Sequence, residues 1–173
     1  MGGIILPYRG KRPRIATDAF IADTAVLIGD VEIGPGTSVW FGCILRGDIN
    51  YIRVGARTNI QDGTIVHVDS REFYTTIGDD VTIGHNAVIH ACTLQDRSFV
   101  GIGATVLDGA VVESGAMVAA GALLTPGKRV PAGELWAGTP ARRARTLSDE
   151  QFAEFAEIAP RYAALARSYR DET

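Results

Sequence analysis

Residues 98–124, SFVGIGATVLDGAVVESGAMVAAGALL, place a large aliphatic side chain at every sixth position: Val100, Val106, Val112, Val118 and Leu124. Four positions after each of the first four sits a small residue, Ala104, Ala110, Ala116 and Ala122. A helix would repeat at about 3.6 residues and a simple strand at about 2, so neither explains the spacing. One large and one small inward residue per hexad fits a short strand followed by a turn. Working outward, the period extends to Leu94 on one side and Val130 on the other. It reappears at Ile77, Ile83 and Ile89, at Val54, Ile60 and Val66, and at Ile15, Ile21, Leu27, Ile33, Val39 and Leu45.

Three such sides close a triangular coil of about 18 residues, and coils stack at a β spacing of about 4.8 Å. The expected fold is therefore an all-β repeat, a left-handed parallel β-helix of hexapeptide repeats, which is a recognised exception to right-handed crossovers. It occupies residues 1–146, with a short lead-in over 1–14. Residues 147–173 read differently: LSDEQFAEFAEIAPRYAALARSYR opens with Ser148 as N-cap and Gln151 three residues on, a capping-box pattern. Phe152, Phe155, Ala159, Tyr162, Ala166 and Tyr169 then keep helical spacing, so one stripe of a C-terminal α-helix packs on the coils, with Pro160 kinking or splitting it.

Composition narrows the function. At 173 residues and 46% hydrophobic content, the chain suits one domain with a sizeable core. A net charge of −3 gives no reason to expect nucleic acid or an acidic membrane surface as a partner. Cys43 and Cys92 lack CxxC spacing and read as small buried residues. No stretch has the length of a membrane span, and the basic start lacks the apolar core of a signal peptide, so a cytoplasmic protein is expected.

The breaks in the period locate the chemistry. Between Val66 and Ile77 the step is longer than a hexad, and the extra residues in VDSREFYTT read as a loop thrown out at a corner. Counting sides as A, B and C then puts Leu45, Val66 and Ile89 on side A, Val54 and Ile77 on B, and Ile60 and Ile83 on C. Arg46, His67 and His90 each follow a side-A aliphatic, forming an outward column with neighbours about 5 Å apart. Two imidazoles at that spacing can share a metal ion. Asp62 and His85 each sit two residues after a side-C aliphatic and form a second column. His85 should not reach its own chain's His67 and His90, but side C of one prism packed on side A of the next would bring it there. Such a heterologous contact closes into a ring, and a prism favours a homotrimer. The same docking sets Arg46 opposite Asp62 of the neighbour.

The motifs RGD at 46–48, NIQDGTIVHV at 59–68, IGHNAVIHACTL at 83–94 and LWAGTPAR at 135–142 resemble the γ-class carbonic anhydrases and their bacterial ferripyochelin-binding-protein-like relatives, over nearly the whole chain. That resemblance implies zinc, with iron or cobalt as alternatives, on His67 and His90 of one subunit and His85 of its neighbour. It implies that Gln61 hydrogen-bonds the hydroxide that attacks CO₂ to give bicarbonate, with Asn59 close by. Arg46, Asp48 and Asp62 would tie subunits together. The chain departs from archaeal members in carrying Ile49 where they have glutamate after the Arg-x-Asp motif, and in its short loop at 68–76, so the proton shuttle is not identified; Asp69 and Glu72 are the loop's carboxylates. Alternatives left open are a metal-dependent hydrolase of acyl-CoA thioesters, a hexapeptide acyltransferase using a lone histidine base without metal, and a non-catalytic metal-binding protein.

Overall fold

The protein is described here from a computed structural model, which covers residues 2–70 and 72–172. The hexads form a parallel β-solenoid of seven coils with three sides. Side A is built on Ile4–Leu6, Val26–Ile33, Ile44–Val54, Ile65–His67, Val88–His90, Thr105–Val106 and Leu123–Leu124. Val26–Ile33 and Ile44–Val54 run on around the A–B corner, so sides A and B join in one twelve-stranded sheet among the described residues. Side C carries a separate eight-stranded sheet that ends in an antiparallel pair, Glu134–Ala137 with Arg142–Thr146.

The register is the one the six-residue period dictates. Leu27, Leu45, Val66, Ile89, Val106 and Leu124 lie one above another on side A, and each is fully buried. Removing a side chain of this size from water stabilises the fold by about 1.5–3 kcal/mol. A stack of such columns is therefore what holds the prism together, one coil seated on the next. Ile77 pairs with Val54 below and Leu94 above, so the residues between Val66 and Ile77 make a corner excursion and not a fourth side. The long step from Leu45 to Val54 has a different outcome: it is absorbed within one continuous strand, whose pairing shifts register between Gly29 and Val31. Glycine is needed there, because a Cβ on Gly29, at φ +76°, would lie 2.3 Å from the carbonyl oxygen of Gly47.

The tail forms two helices, Asp149–Ala156 and Ile158–Asp171. Ser148 and Gln151 make the reciprocal capping box. The break falls at Glu157, earlier than Pro160, because proline is tolerated in a first helical turn, where its missing N–H has no partner to lose. The expected stripe is seated on side C: Phe155 on Phe99 at 5.2 Å between ring centroids, and Tyr162 and Tyr169 on Trp40 at 5.3 and 5.5 Å. Ala159 and Ala166 are buried beneath it. No helix among the described residues is long and apolar enough to cross a membrane.

Candidate functional site

Arg46, His67 and His90 are mutual register partners on successive coils of side A, so the outward column is a consequence of strand pairing. Within it, Nδ1 of His67 and Nε2 of His90 stand 3.1 Å apart. The far nitrogen of each ring is held by a carboxylate: Nε2 of His67 lies 3.0 Å from Oδ1 of Asp48, and Nδ1 of His90 contacts Asp108. Asp48 also accepts from Arg46. Burial would raise the Asp48 pKa, but the bonds from His67 and Arg46 outweigh it and hold the carboxyl below its usual range. Burial also favours neutral His67, and the nearby Arg46 and His90 add to this against the pull of Asp48, so its pKa is lowered. A neutral His67 donating from Nε2 to Asp48, and a His90 donating from Nδ1 to Asp108, direct two imidazole lone pairs at the same point. At that separation the two nitrogens either share a proton or act together as ligands to one metal ion.

The second column runs up the corner between sides C and A. Phe41, Asp62, His85 and Ile102 occupy equivalent positions on four successive coils, two residues after Val39, Ile60, Ile83 and Val100. Nδ1 of His85 lies 2.8 Å from Oδ2 of Asp62, which leaves Nε2 free of carboxylate; the Tyr162 hydroxyl stands 3.5 Å from it. On side C itself the amide of Gln61 donates to Asn59 at 3.0 Å, and Asn59 donates to the Thr82 hydroxyl at 2.9 Å. Both amides are buried, so this relay fixes the Gln61 side chain in place.

The structure thus brings His67 to His90, Asp62 to His85, Arg46 to Asp48 and Gln61 to Asn59. It does not bring His85 to the other two histidines within the chain. Among the described residues no group of three or more His, Cys, Asp or Glu side chains is gathered to hold a metal ion. Within one chain Arg46 pairs with Asp48, and Asp62 with His85. Ile49 is exposed, beside Asp48. Two residues escaped the sequence reading. Asp108 sits two positions after the side-A aliphatic Val106, one coil beyond His90; extending the column by a single coil gives Leu107, so the register alone does not point to Asp108. Tyr162 belongs to the packing stripe, and no sequence signal joins it to His85.

The surface around the two columns is apolar. Ile4, Val26, Ile44, Ile65 and Val88 form a ladder on side A beside the histidine column. Ile44 is 37% and Ile65 41% exposed, and Ile102 on the corner is 56% exposed, which is unusual for side chains of this kind.

No protein-family model matches the sequence. It is 51% identical over 167 residues to mitochondrial gamma carbonic anhydrase 2 of Arabidopsis thaliana, matching 94% of this chain and 60% of that protein. The chain thus spans about three fifths of the length of the first curated relatives it matches. It is 40% identical over 167 residues to a carbonic anhydrase of Geobacillus kaustophilus, covering 96% of this chain and 91% of that protein. Among solved structures, a hexapeptide transferase family protein from Anaplasma phagocytophilum superposes with a TM-score of 0.93 at 49% identity, covering 98% and 99% of the two chains. The fold and histidine columns define a hexapeptide-repeat β-helix protein, and the chain belongs to the γ-class carbonic anhydrase family.

Proposed function

We propose that the protein is a metal-dependent carbonic anhydrase whose site is completed between copies of the chain, with CO₂ and bicarbonate as substrate and product. The observation that carries this reading is the pair of imidazole nitrogens 3.1 Å apart, each ring anchored by a carboxylate on its far side. Nitrogens on adjacent vertices of a tetrahedral zinc site, about 2.0–2.1 Å from the ion, stand about 3.3 Å apart, so the pair fits two ligand positions. Carboxylates holding the outer nitrogens are the usual supports of metal-ligating histidines. His85, its Nδ1 held by Asp62, has its Nε2 available to serve as third ligand to a neighbour. Zinc suits three imidazoles, and iron or cobalt would accept the same donors.

Each residue then has a defined task. Asp48, Asp108 and Asp62 fix which nitrogen of His67, His90 and His85 carries the proton. Gln61, locked by Asn59, presents its remaining amide valences at the corner that also carries His85, so it enters the neighbour's site together with that ligand. The bound ion supplies water with a pKa lowered toward about 7, which makes hydroxide available for CO₂ hydration near neutral pH. The aliphatic ladder of side A and the exposed Phe41 and Ile102 of the corner support a copy-to-copy contact that buries them, closing as a trimer and setting Arg46 against Asp62 of the adjoining copy.

Metal content of purified protein, with CO₂ hydration followed at several pH values, tests the reading. About one metal per chain and hydration that disappears in His90→Ala support it; metal-loaded protein with no hydration above the buffer rate sinks it. A second reading is supported by the likeness to a hexapeptide transferase family protein: an acyltransferase with a lone histidine base. It predicts acyl transfer that survives exhaustive chelation.

A further inference from the structure

A cavity of about 130 Å³ lies beneath the joint of the two C-terminal helices, on the far side of side C from the histidine columns. Its walls are apolar and aromatic: Phe99 and Met117 from the coils, Phe152 and Phe155 from the first helix. A polar side chain, Arg97, stands at the rim, and behind the wall Ser98 faces the coil interior. Ser98 is 1% exposed, and its hydroxyl is the one buried side-chain polar atom among the described residues without a hydrogen-bond partner. Equivalent hydroxyls in the same corner column are satisfied, Thr37 by the carbonyl of Gly55 at 2.7 Å and Thr58 by that of Gly78 at 2.8 Å. The Arg97 guanidinium lies 5.9 Å from the Phe152 ring. Asp80, the neighbouring carboxylate of the lining, is already held by Arg57 through two bonds of 2.7 Å. Arg97 forms no ion pair among the described residues.

An unpaired guanidinium presents a planar fork suited to carboxylate, and the cavity of about 130 Å³ is close to the volume, about 150 Å³, of an apolar cavity that takes benzene. We propose that this cavity binds a compact monocarboxylate with a ring-sized apolar body. The carboxylate pairs with Arg97, and the body lies among the three phenylalanines and Met117. None of the lining residues belongs to either histidine column; Thr82 alone is shared with the Gln61 relay, since its hydroxyl accepts from Asn59. Because Ala156 and Pro160 flank the helix joint and also line the cavity, an occupant fastens both helices to the coils.

Methyl-¹³C methionine labelling tests this on the full chain. There are two methionines, and Met117 lines the cavity. Benzoate is expected to move the Met117 methyl resonance saturably, with a Kd on the order of 1 mM for so small a ligand. Benzyl alcohol, of the same size without the charge, should bind at least about tenfold more weakly, as should benzoate to Arg97→Gln. Ala156→Leu, which fills the mouth from an exposed helix position, should abolish the shift, while Arg161→Gln on the second helix leaves it unchanged. Thermal unfolding at the wild-type temperature confirms that each variant is folded. No saturable shift with wild-type protein, equal binding of benzyl alcohol, or full affinity in folded Arg97→Gln overturns the proposal.

Discussion

Removing the Asp108 carboxylate should weaken metal binding without weakening the fold. Asp108 is the partner recorded for Nδ1 of His90, so Asp108→Ala frees that ring to turn and to change tautomer. Loss of such a supporting carboxylate ordinarily costs about 10–100-fold in metal affinity. The Asp108 side chain is 34% exposed, so water takes over part of its role, and the lower end applies: about tenfold, or about 1.4 kcal/mol. Asp48 is only 17% exposed and also holds Arg46, so Asp48→Ala should fall nearer the upper end. Competition with a chromophoric chelator gives the affinity of each variant, and chemical denaturation of the metal-free protein should show less than about 0.5 kcal/mol lost by Asp108→Ala. In a His90→Ala background the Asp108 effect should vanish, since the carboxylate then has no ligand to orient. An unchanged affinity in Asp108→Ala, or the same loss with His90 already absent, would refute the assignment.

Further outcomes follow from the coils and the buried groups. Ile83→Ala empties a fully buried position in the stack and should cost about 2–5 kcal/mol of unfolding free energy, read by denaturant titration. Burial pushes the Cys43 thiol up to about 12 and raises that of Cys92 as well, so a thiol reagent at pH 8 should label neither in the native protein and both in denaturant. Burial alone would raise the Asp30 pKa, but bonds from Lys11 and Arg53 outweigh it and lower it. Its stabilising effect is therefore present at neutral pH and lost as pH falls through the carboxylate range; Asp30→Asn should cost about 1–2 kcal/mol at pH 7 and little at pH 3.

The solenoid was legible because six-residue periodicity belongs to no other element, and because strand pairing turns a count along the chain into an address on a side. That is why the placement of His67 under His90, and of Asp62 under His85, could be read from Val66, Ile89, Ile60 and Ile83 alone. What the count does not carry is the choice each side chain makes among neighbours within reach. Arg46 turns to Asp48 two residues away, and Asp108 reaches back one coil to His90; both depend on rotamers and not on register. The Tyr162 contact with His85 depends on how the second helix lies over side C, which in turn follows from the break at Glu157. Ser98 looked like any small inward residue until the corner column showed that its hydroxyl, unlike those of Thr37 and Thr58, lacks a carbonyl to meet.

The central claim is that His85 serves a site built on another chain's His67 and His90. His85→Ala and His90→Ala should each be inactive alone, yet chains unfolded together and refolded as a mixture can rebuild intact sites. Random assembly of equal amounts into closed trimers makes about three quarters of them hybrids, each with one whole site of three, so hydration should return to about a quarter of the wild-type rate per chain. A mixture that stays as inactive as its two components would contradict the claim.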